Sequence, residues 1–321
     1  MHASSLVPLG ALALVAVVVF SGLTPWSIAI AVPATFITLD TTLGTARREP
    51  AAEPAWRWPL ALFVPAQCAF LVATIVGAWH RNIPDIAGTV VAGGMTIGIF
   101  GMLTAHELIH SRRRFERVLG IVALASVFYA HFRISHVLGH HRFAGTGDDP
   151  ALARRGESAY RFALRSACGQ LRFAVRVDRR LTLAAGAVGV LMLGADYAIA
   201  GWRGVASHAG IGVAAIFILE TFDYVAHYGL MRRERSGALE PFGPAHSWNV
   251  THRFSNWALL NGGLHGAHHR APAADHATLR ADADLPALPG GFGVALCLAL
   301  LPPLWHFVMD RRVVAMELRA S

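Results

Sequence analysis

The sequence predicts an all-α membrane protein of about six transmembrane helices with a histidine-rich two-metal site on the cytoplasmic side, and three observations lead there. Its 321 residues are 54% hydrophobic and only 15% charged, with a mean hydropathy of +0.45, which is more apolar surface than a water-soluble fold of this length can bury. Six apolar stretches approach the roughly 20 residues that a helix needs to cross the hydrocarbon core. Nine of the 17 histidines gather in four dense places at the same ends of those stretches.

The spans are expected at 6–20, 26–39, 58–79, 86–105, 181–200 and 205–226, as three hairpins, the first closed by a tight turn at 21–25. The apolar run after Met1 lacks the basic stretch that opens a secretory signal, and a second run follows at once, so it is read as a mature span. Val118 to Phe132 is borderline in length. It is expected to form a short helix at the interface, because a crossing there would put His110 and His136 on opposite faces of the membrane. Gly291 to Met309 contains Pro302 and Pro303, which cost a helix hydrogen bonds that lipid does not replace, and it is expected to be a re-entrant or packing segment. With no repeat, low-complexity tract or long linker, residues 1–321 are expected to form a single membrane domain.

The net charge of +8 becomes informative on the loops, since Lys and Arg in short segments beside the spans set orientation. Arg47, Arg48 and Arg57 follow the second span, and Arg112 to Arg114 with Arg117 follow the fourth. Arg154 to Arg180 precede the fifth, and Arg232, Arg233 and Arg235 follow the sixth. The opposite loops carry one arginine or none, so both termini are predicted to be cytoplasmic, and no nucleic-acid partner is expected. Cys68, Cys168 and Cys297 show no pairing pattern and imply no disulfide framework.

The chemistry lies in the histidines. His106 and His110 form HELIH at the end of the fourth span, where i,i+4 spacing puts both rings on one helix face. Alone, HExxH would also fit a zinc protease with Glu107 as general base. His136, His140 and His141 form HVLGHH, His265, His268 and His269 form HGAHH, and His227 closes the sixth span. One zinc is satisfied by about four ligands, whereas two ions can use eight or nine imidazoles with positions left open. Neutral imidazoles leave the metal charge uncompensated, so Glu107, Asp148, Asp149, Glu220 and Asp223 are candidates for fixing ring orientation. His80, His131, His208 and His306 are read as satisfied interfacial residues, and His246, His252 and His276 are left unassigned.

These boxes, with HELIHSRRRFERVLG, HHRFAGTGDDPALARRGESAYRF, DYVAHYGLMR, HSWN and LALLPPLWHFVMDRRVV in that order, resemble the integral membrane desaturase and hydroxylase superfamily, and within it the alkane 1-monooxygenases. The resemblance runs from about Ala105 to Val314 and reaches the preceding residues only in hydropathy. It puts the family's metal-binding histidines on the nine named above. It implies two non-haem irons and no haem, O2 as co-substrate, and hydroxylation of a terminal methyl group of a hydrophobic substrate drawn from the bilayer, a medium-chain alkane first. Electrons would come from NAD(P)H through a reductase and a small acidic rubredoxin or ferredoxin, steered by the arginine-rich face. The implied location is a bacterial-type inner membrane. Ser135 and Ala226 stand where the family commonly has Glu, Ala267 where it has Asp, and His276 where it has Tyr. A fatty-acid desaturase and a xylene-type methyl hydroxylase are the alternatives, ahead of a membrane zinc protease.

Overall fold

The computed structural model describes residues 3–45, 55–235, 237–280 and 286–320; Arg47 and Arg48 of the orientation argument lie outside them. Among the described residues its regular elements are helices, apart from a hairpin that pairs Glu234–Arg235 with Ala238–Leu239. Among the described residues, five helices are long and apolar enough to cross a membrane: α1 (Ala3–Phe20), α2 (Trp26–Leu43), α3 (Trp58–Ala78), α4 (Ile83–Ile109) and, beyond a shorter α5 (Arg114–Ala125) and an amphipathic α6 (Ala159–Val177), the 49-residue α7 (Arg179–His227). At 1.5 Å per residue α7 is about 73 Å long, more than twice a bilayer core. It is broken at Ala200 and Gly201, where Gly201 has φ +58°, and its two arms match the fifth and sixth expected spans. The outer faces of these helices are apolar: Ile30, Leu191, Val190 and Val213 are 68–75% exposed, a pattern that only lipid makes favourable.

The chain divides into two compact units, each discontinuous in sequence: Met1–Val32, Ala55–Ser135 and Leu171–Leu219 in one, Pro33–Pro54, His136–Gln170 and Glu220–Ser321 in the other.

In the first unit, α4 begins at Asn82, whose side chain accepts from the Asp85 N–H, with Pro84 in the opening turn. Its glycines face helix, not cavity. A Cβ on Gly94 would meet Ala214 Cβ at 2.3 Å and one on Gly98 would meet Ile218 Cβ at 2.6 Å, so they serve the close packing of α4 on α7. A polar side chain at the middle of a span needs a partner, and Gln67 of α3, fully buried, donates to the Ala123 carbonyl in the last turn of α5 and to Ser126 Oγ just beyond it. Twelve residues make α5 about 18 Å long, too short to cross. The stretch from Val118 to Phe132 is therefore half helix and half turn, with Phe128 at φ +63°.

In the second unit, two short helices, α8 (Arg253–Ala258) and α9 (His265–Arg270), precede α10 (Phe292–Ala299) and α11 (Pro302–Ala320), and these last two pack with the end of α7 around Phe162, Tyr224, Tyr228, Trp248 and Trp305. The two prolines do what their chemistry dictates: α10 and α11 meet at a bend of 118°. Asp40 near the end of α2 is buried and accepts from the Ser255 N–H and hydroxyl, while that hydroxyl accepts from the Phe292 N–H, so one carboxylate ties the starts of α8 and α10.

Candidate metal centre

Seven of the nine box histidines belong to the second unit, and they sort into two groups. The Nε2 atoms of His140, His227, His265 and His269 lie within 4.8 Å of one another: His140 to His269 at 3.0 Å, His269 to His265 at 3.0 Å and His227 to His265 at 2.8 Å. Beside them, His141 Nε2 lies 3.0 Å from His136 Nε2 and 3.2 Å from His268 Nε2. The groups adjoin, with the His141 and His269 rings 4.5 Å apart. An imidazole nitrogen carries either a proton or a lone pair, so four that face one point cannot all satisfy each other, whereas one cation accepting four lone pairs satisfies them all. The donor set fits a metal, and imidazole suits iron as well as zinc, copper or nickel.

Each HH pair is split, one ring to each group: His140 and His269 to the first, His141 and His268 to the second. Adjacent residues on a helix do not face the same way. In α9 the i,i+4 pair His265 and His269 therefore converges, and His268 is left to turn to the other group. The 135–140 segment winds as a π-helix, whose turn closes i to i+5, so His141 comes round to His136. An α-helical spacing would have paired His136 with His140, its i+4 neighbour; the π turn pairs it with His141 instead.

The motifs between the boxes hold these rings. Asp149 of GDDP is buried, its Oδ1 fixed by the Ala151 N–H at 2.9 Å and its Oδ2 2.8 Å from His140 Nδ1. Burial alone would lower the His140 pKa, but the charge and hydrogen bond of Asp149 outweigh it, with Asp223 and Glu220 adding to the same potential, and hold it at about 9. Burial would raise the Asp149 carboxyl in turn, and His140 keeps it below its ordinary range. His269 is held neutral, first by burial and then by the surrounding imidazoles. Glu220 accepts from Gln170 Nε2 at 2.9 Å, and Asp223 is buried on the same helix; Asp148 is exposed.

Around His227, Trp248 of HSWN donates from its backbone to the Ala226 carbonyl and from its indole to the Tyr228 carbonyl. Asn249 accepts from the Gly266 N–H at 3.0 Å and so ties the same strand of chain to the start of α9. Tyr228 of HYG donates to Asp310 of α11 and accepts from the Gly156 N–H. Gly229 follows at φ +70°, where a Cβ would meet Val313 at 2.8 Å, so this turn takes only glycine. Glu157 of GES takes Arg165 through both carboxylate oxygens, which holds its pKa down against burial, and its carbonyl accepts from Tyr224. Asn249 and Tyr228 lie in motifs that the sequence displays, HSWN and DYVAHYGLMR, but no sequence pattern gives their roles, because their partners are 17 and 82 residues away.

In the first unit, His106 and His110 end α4 with their ring centroids 4.9 Å apart. Glu107 between them is ion-paired to Arg57 at 2.5 Å, and Arg57 also takes Glu116 of the SRRRFER stretch through Nε and Nη2. Arg57, expected only as an orienting charge, thus neutralises two carboxylates, and its bonds keep the Glu116 pKa low although burial opposes them.

The remaining histidines fall elsewhere. His246 uses both ring nitrogens on Glu240 and the Gly243 N–H, and His252 stands at the start of α8. His276 is buried with its carbonyl accepting from Asn261. Ser135 bonds back to the His131 and Phe132 carbonyls, and Ala226 and Ala267 bring no carboxylate to the groups.

The family model described as fatty acid desaturase matches residues 81–295. Alkane 1-monooxygenase 1 of Pseudomonas aeruginosa is 34% identical over 252 residues, which are 71% of this chain and 64% of that protein. The alkane 1-monooxygenase of Ectopseudomonas oleovorans is 31% identical over 270 residues, 79% of this chain and 67% of that protein. The xylene/toluene monooxygenase hydroxylase component XylM of Pseudomonas putida is 25% identical over 246 residues, 71% of this chain and 64% of that protein. The chain thus spans about two thirds, and mostly somewhat less, of the length of the curated relatives it matches. A match over more than half of the chain, with these levels of identity, means that the chain belongs to the fatty acid desaturase family and, within it, to the alkane 1-monooxygenases.

Proposed function

We propose that residues 1–321 form one membrane-bound monooxygenase domain that hydroxylates a terminal methyl group of a hydrophobic substrate, a medium-chain alkane first, with O2 as co-substrate. The observation that carries this is the division of two HH pairs into two adjoining all-imidazole groups, in a chain about one third identical to alkane 1-monooxygenases. His140, His227, His265 and His269 would hold one non-haem iron and His136, His141 and His268 the other, while the family resemblance counts His106 and His110 among the ligands. When bound, the two irons supply the activation of O2, one oxygen atom entering a C–H bond and the other leaving as water with two electrons and two protons.

The chain's own residues prepare the ligands. Asp149 holds one proton of His140 on Nδ1, so that the proton a metal would displace is the one on Nε2. Burial keeps His269 neutral and ready to ligate. Glu107 is committed to Arg57, which removes the free general base that a zinc protease would require. The electrons come from NAD(P)H through a reductase and a rubredoxin or ferredoxin, an acidic carrier suited to the arginine-bearing face. That face and both termini are assigned to the cytoplasmic side of the inner membrane.

The test is metal analysis of the purified chain together with turnover of a mixture of medium-chain alkanes, methyl-aromatics and fatty acyl substrates under labelled O2, with rubredoxin and its reductase. Two irons per chain and label in a primary alkanol support the proposal. Label in a benzylic alcohol alone moves the substrate to methyl-aromatics, an unlabelled alkene makes the chain a desaturase, and one zinc without oxygenated product ends the oxygenase reading.

A further inference from the structure

Helix α6 carries three faces where a buried amphipathic helix carries two. One face is buried through Phe162, Ser166, Gln170 and Ala174. A second, at helical spacing, is apolar and exposed: Tyr160 at 51%, Leu164 at 71% and Leu171 at 43%. Along its border runs a third, with Arg161, Arg172 and Arg176 all exposed. A water-facing helix gains nothing from leucines this exposed, and a helix inside hydrocarbon would not tolerate the arginines.

The chain then fixes the depth of this helix. Only Asp178 separates α6 from α7, and its side chain accepts from the Leu181 N–H to start that helix, so α6 ends where a membrane-spanning helix begins. At its other end Tyr160 donates to the Leu300 carbonyl at the bend between α10 and α11. There Leu301, Leu304 and Phe307 are again 50–60% exposed, with the Arg311 guanidinium over the Phe307 ring.

We propose that α6 lies along the membrane surface as a lipid-binding helix: its apolar stripe enters the headgroup and upper acyl region, and Arg161, Arg172 and Arg176 hold the phosphates of anionic phospholipids. The occupant is lipid because exposed apolar side chains and arginines alternate along one helix tethered at both ends to apolar, exposed segments. An acidic protein would match the arginines and leave the leucines in water.

Exposed Cys168 lies between the two outer faces and allows a direct test. With Cys68→Ala and Cys297→Ala, a fluorescent label on Cys168 of the full chain is read in nanodiscs of phosphatidylcholine with or without phosphatidylglycerol, using bromine-bearing acyl chains as quencher. Strong quenching at Cys168, and none for a label on Ala238→Cys in the exposed hairpin, is the expected result; equal, weak quenching at both overturns the proposal. Retention of phosphatidylglycerol in native mass spectra should fall about fivefold for each of Arg161→Gln, Arg172→Gln and Arg176→Gln. Unchanged lipid retention, with lost binding of an acidic carrier protein instead, assigns the arginines to that protein and also overturns it.

Discussion

His140 and His208 are the same side chain in nearly the same setting, and they do different things. Each is almost fully buried, and each meets a buried carboxylate through Nδ1, Asp149 at 2.8 Å and Asp196 at 2.7 Å. The second nitrogen separates them. His208 Nε2 donates to the Ser126 carbonyl at 2.8 Å, and the pair closes across the break in α7, so both nitrogens are spent on structure. His140 Nε2 faces three other imidazole nitrogens. A carboxylate behind a histidine is therefore no mark of a ligand; the destination of the far nitrogen is.

The widest separation should come from truncating the two rings. His140→Ala is expected to lower turnover by on the order of 10³-fold and to reduce bound iron, read by elemental analysis. His208→Ala should leave iron per chain unchanged and lower the thermal midpoint, because Asp196 is left buried without its partner, at about 3 kcal/mol. Equal iron loss in both would break the distinction.

Arg57 extends the comparison to a carboxylate beside a ligand that does not serve it. Arg57→Gln leaves Glu107 and Glu116, 12% and 5% exposed, without their shared cation, and is expected to cost about 3 kcal/mol of stability. Arg57→Lys should recover only part of this, since an ammonium cannot reproduce the fork that reaches both. A denaturant or thermal titration in detergent reads both variants.

The next effect is smaller and sharper. Asp149→Asn is expected to weaken metal binding by about 10–100-fold, while Asp196→Asn changes it by less than about twofold and shows itself in stability, at about 1–3 kcal/mol. Competition with a chelator measures the first and thermal unfolding the second.

What the sequence allows to be read follows from how local each signal is. The spans are legible because apolar length alone specifies them, and the Pro302–Pro303 bend because a missing N–H acts where it sits. The boxes are legible as boxes. The split of each HH pair was also within reach, since neighbouring helical residues never face one way, but the π turn at 135–140 was not, because nothing in SHVLGH announces it. Asp149 could be named as a candidate but not matched to His140 among the nine box histidines. Arg57 with Glu107, 50 residues apart, and Asp196 with His208 across a helix break belong to packing, and packing has no sequence period.

A third histidine shows what the ring does when it has no carboxylate at all. His131 is largely buried against Tyr129, with ring centroids 4.6 Å apart, and its Nε2 has no hydrogen-bond partner among the described residues. Burial pushes its pKa down to about 4. The unfolded chain binds this proton at about 6.5 and the folded chain only near 4. The ring therefore contributes full stability above about pH 6.5, and that contribution is lost as pH falls through 4, to a limit of about 3 kcal/mol. His140 has the opposite sign: raised to about 9, it stabilises the metal-free chain below about pH 6.5 and loses that contribution as pH rises through 9. Thermal midpoints of metal-free protein between pH 6.5 and 4 should accordingly fall less steeply in His131→Gln than in the parent, with the difference widening toward pH 4. Parallel curves would mean that His131 is protonated in the fold, and that a buried ring here needs no carboxylate to carry charge.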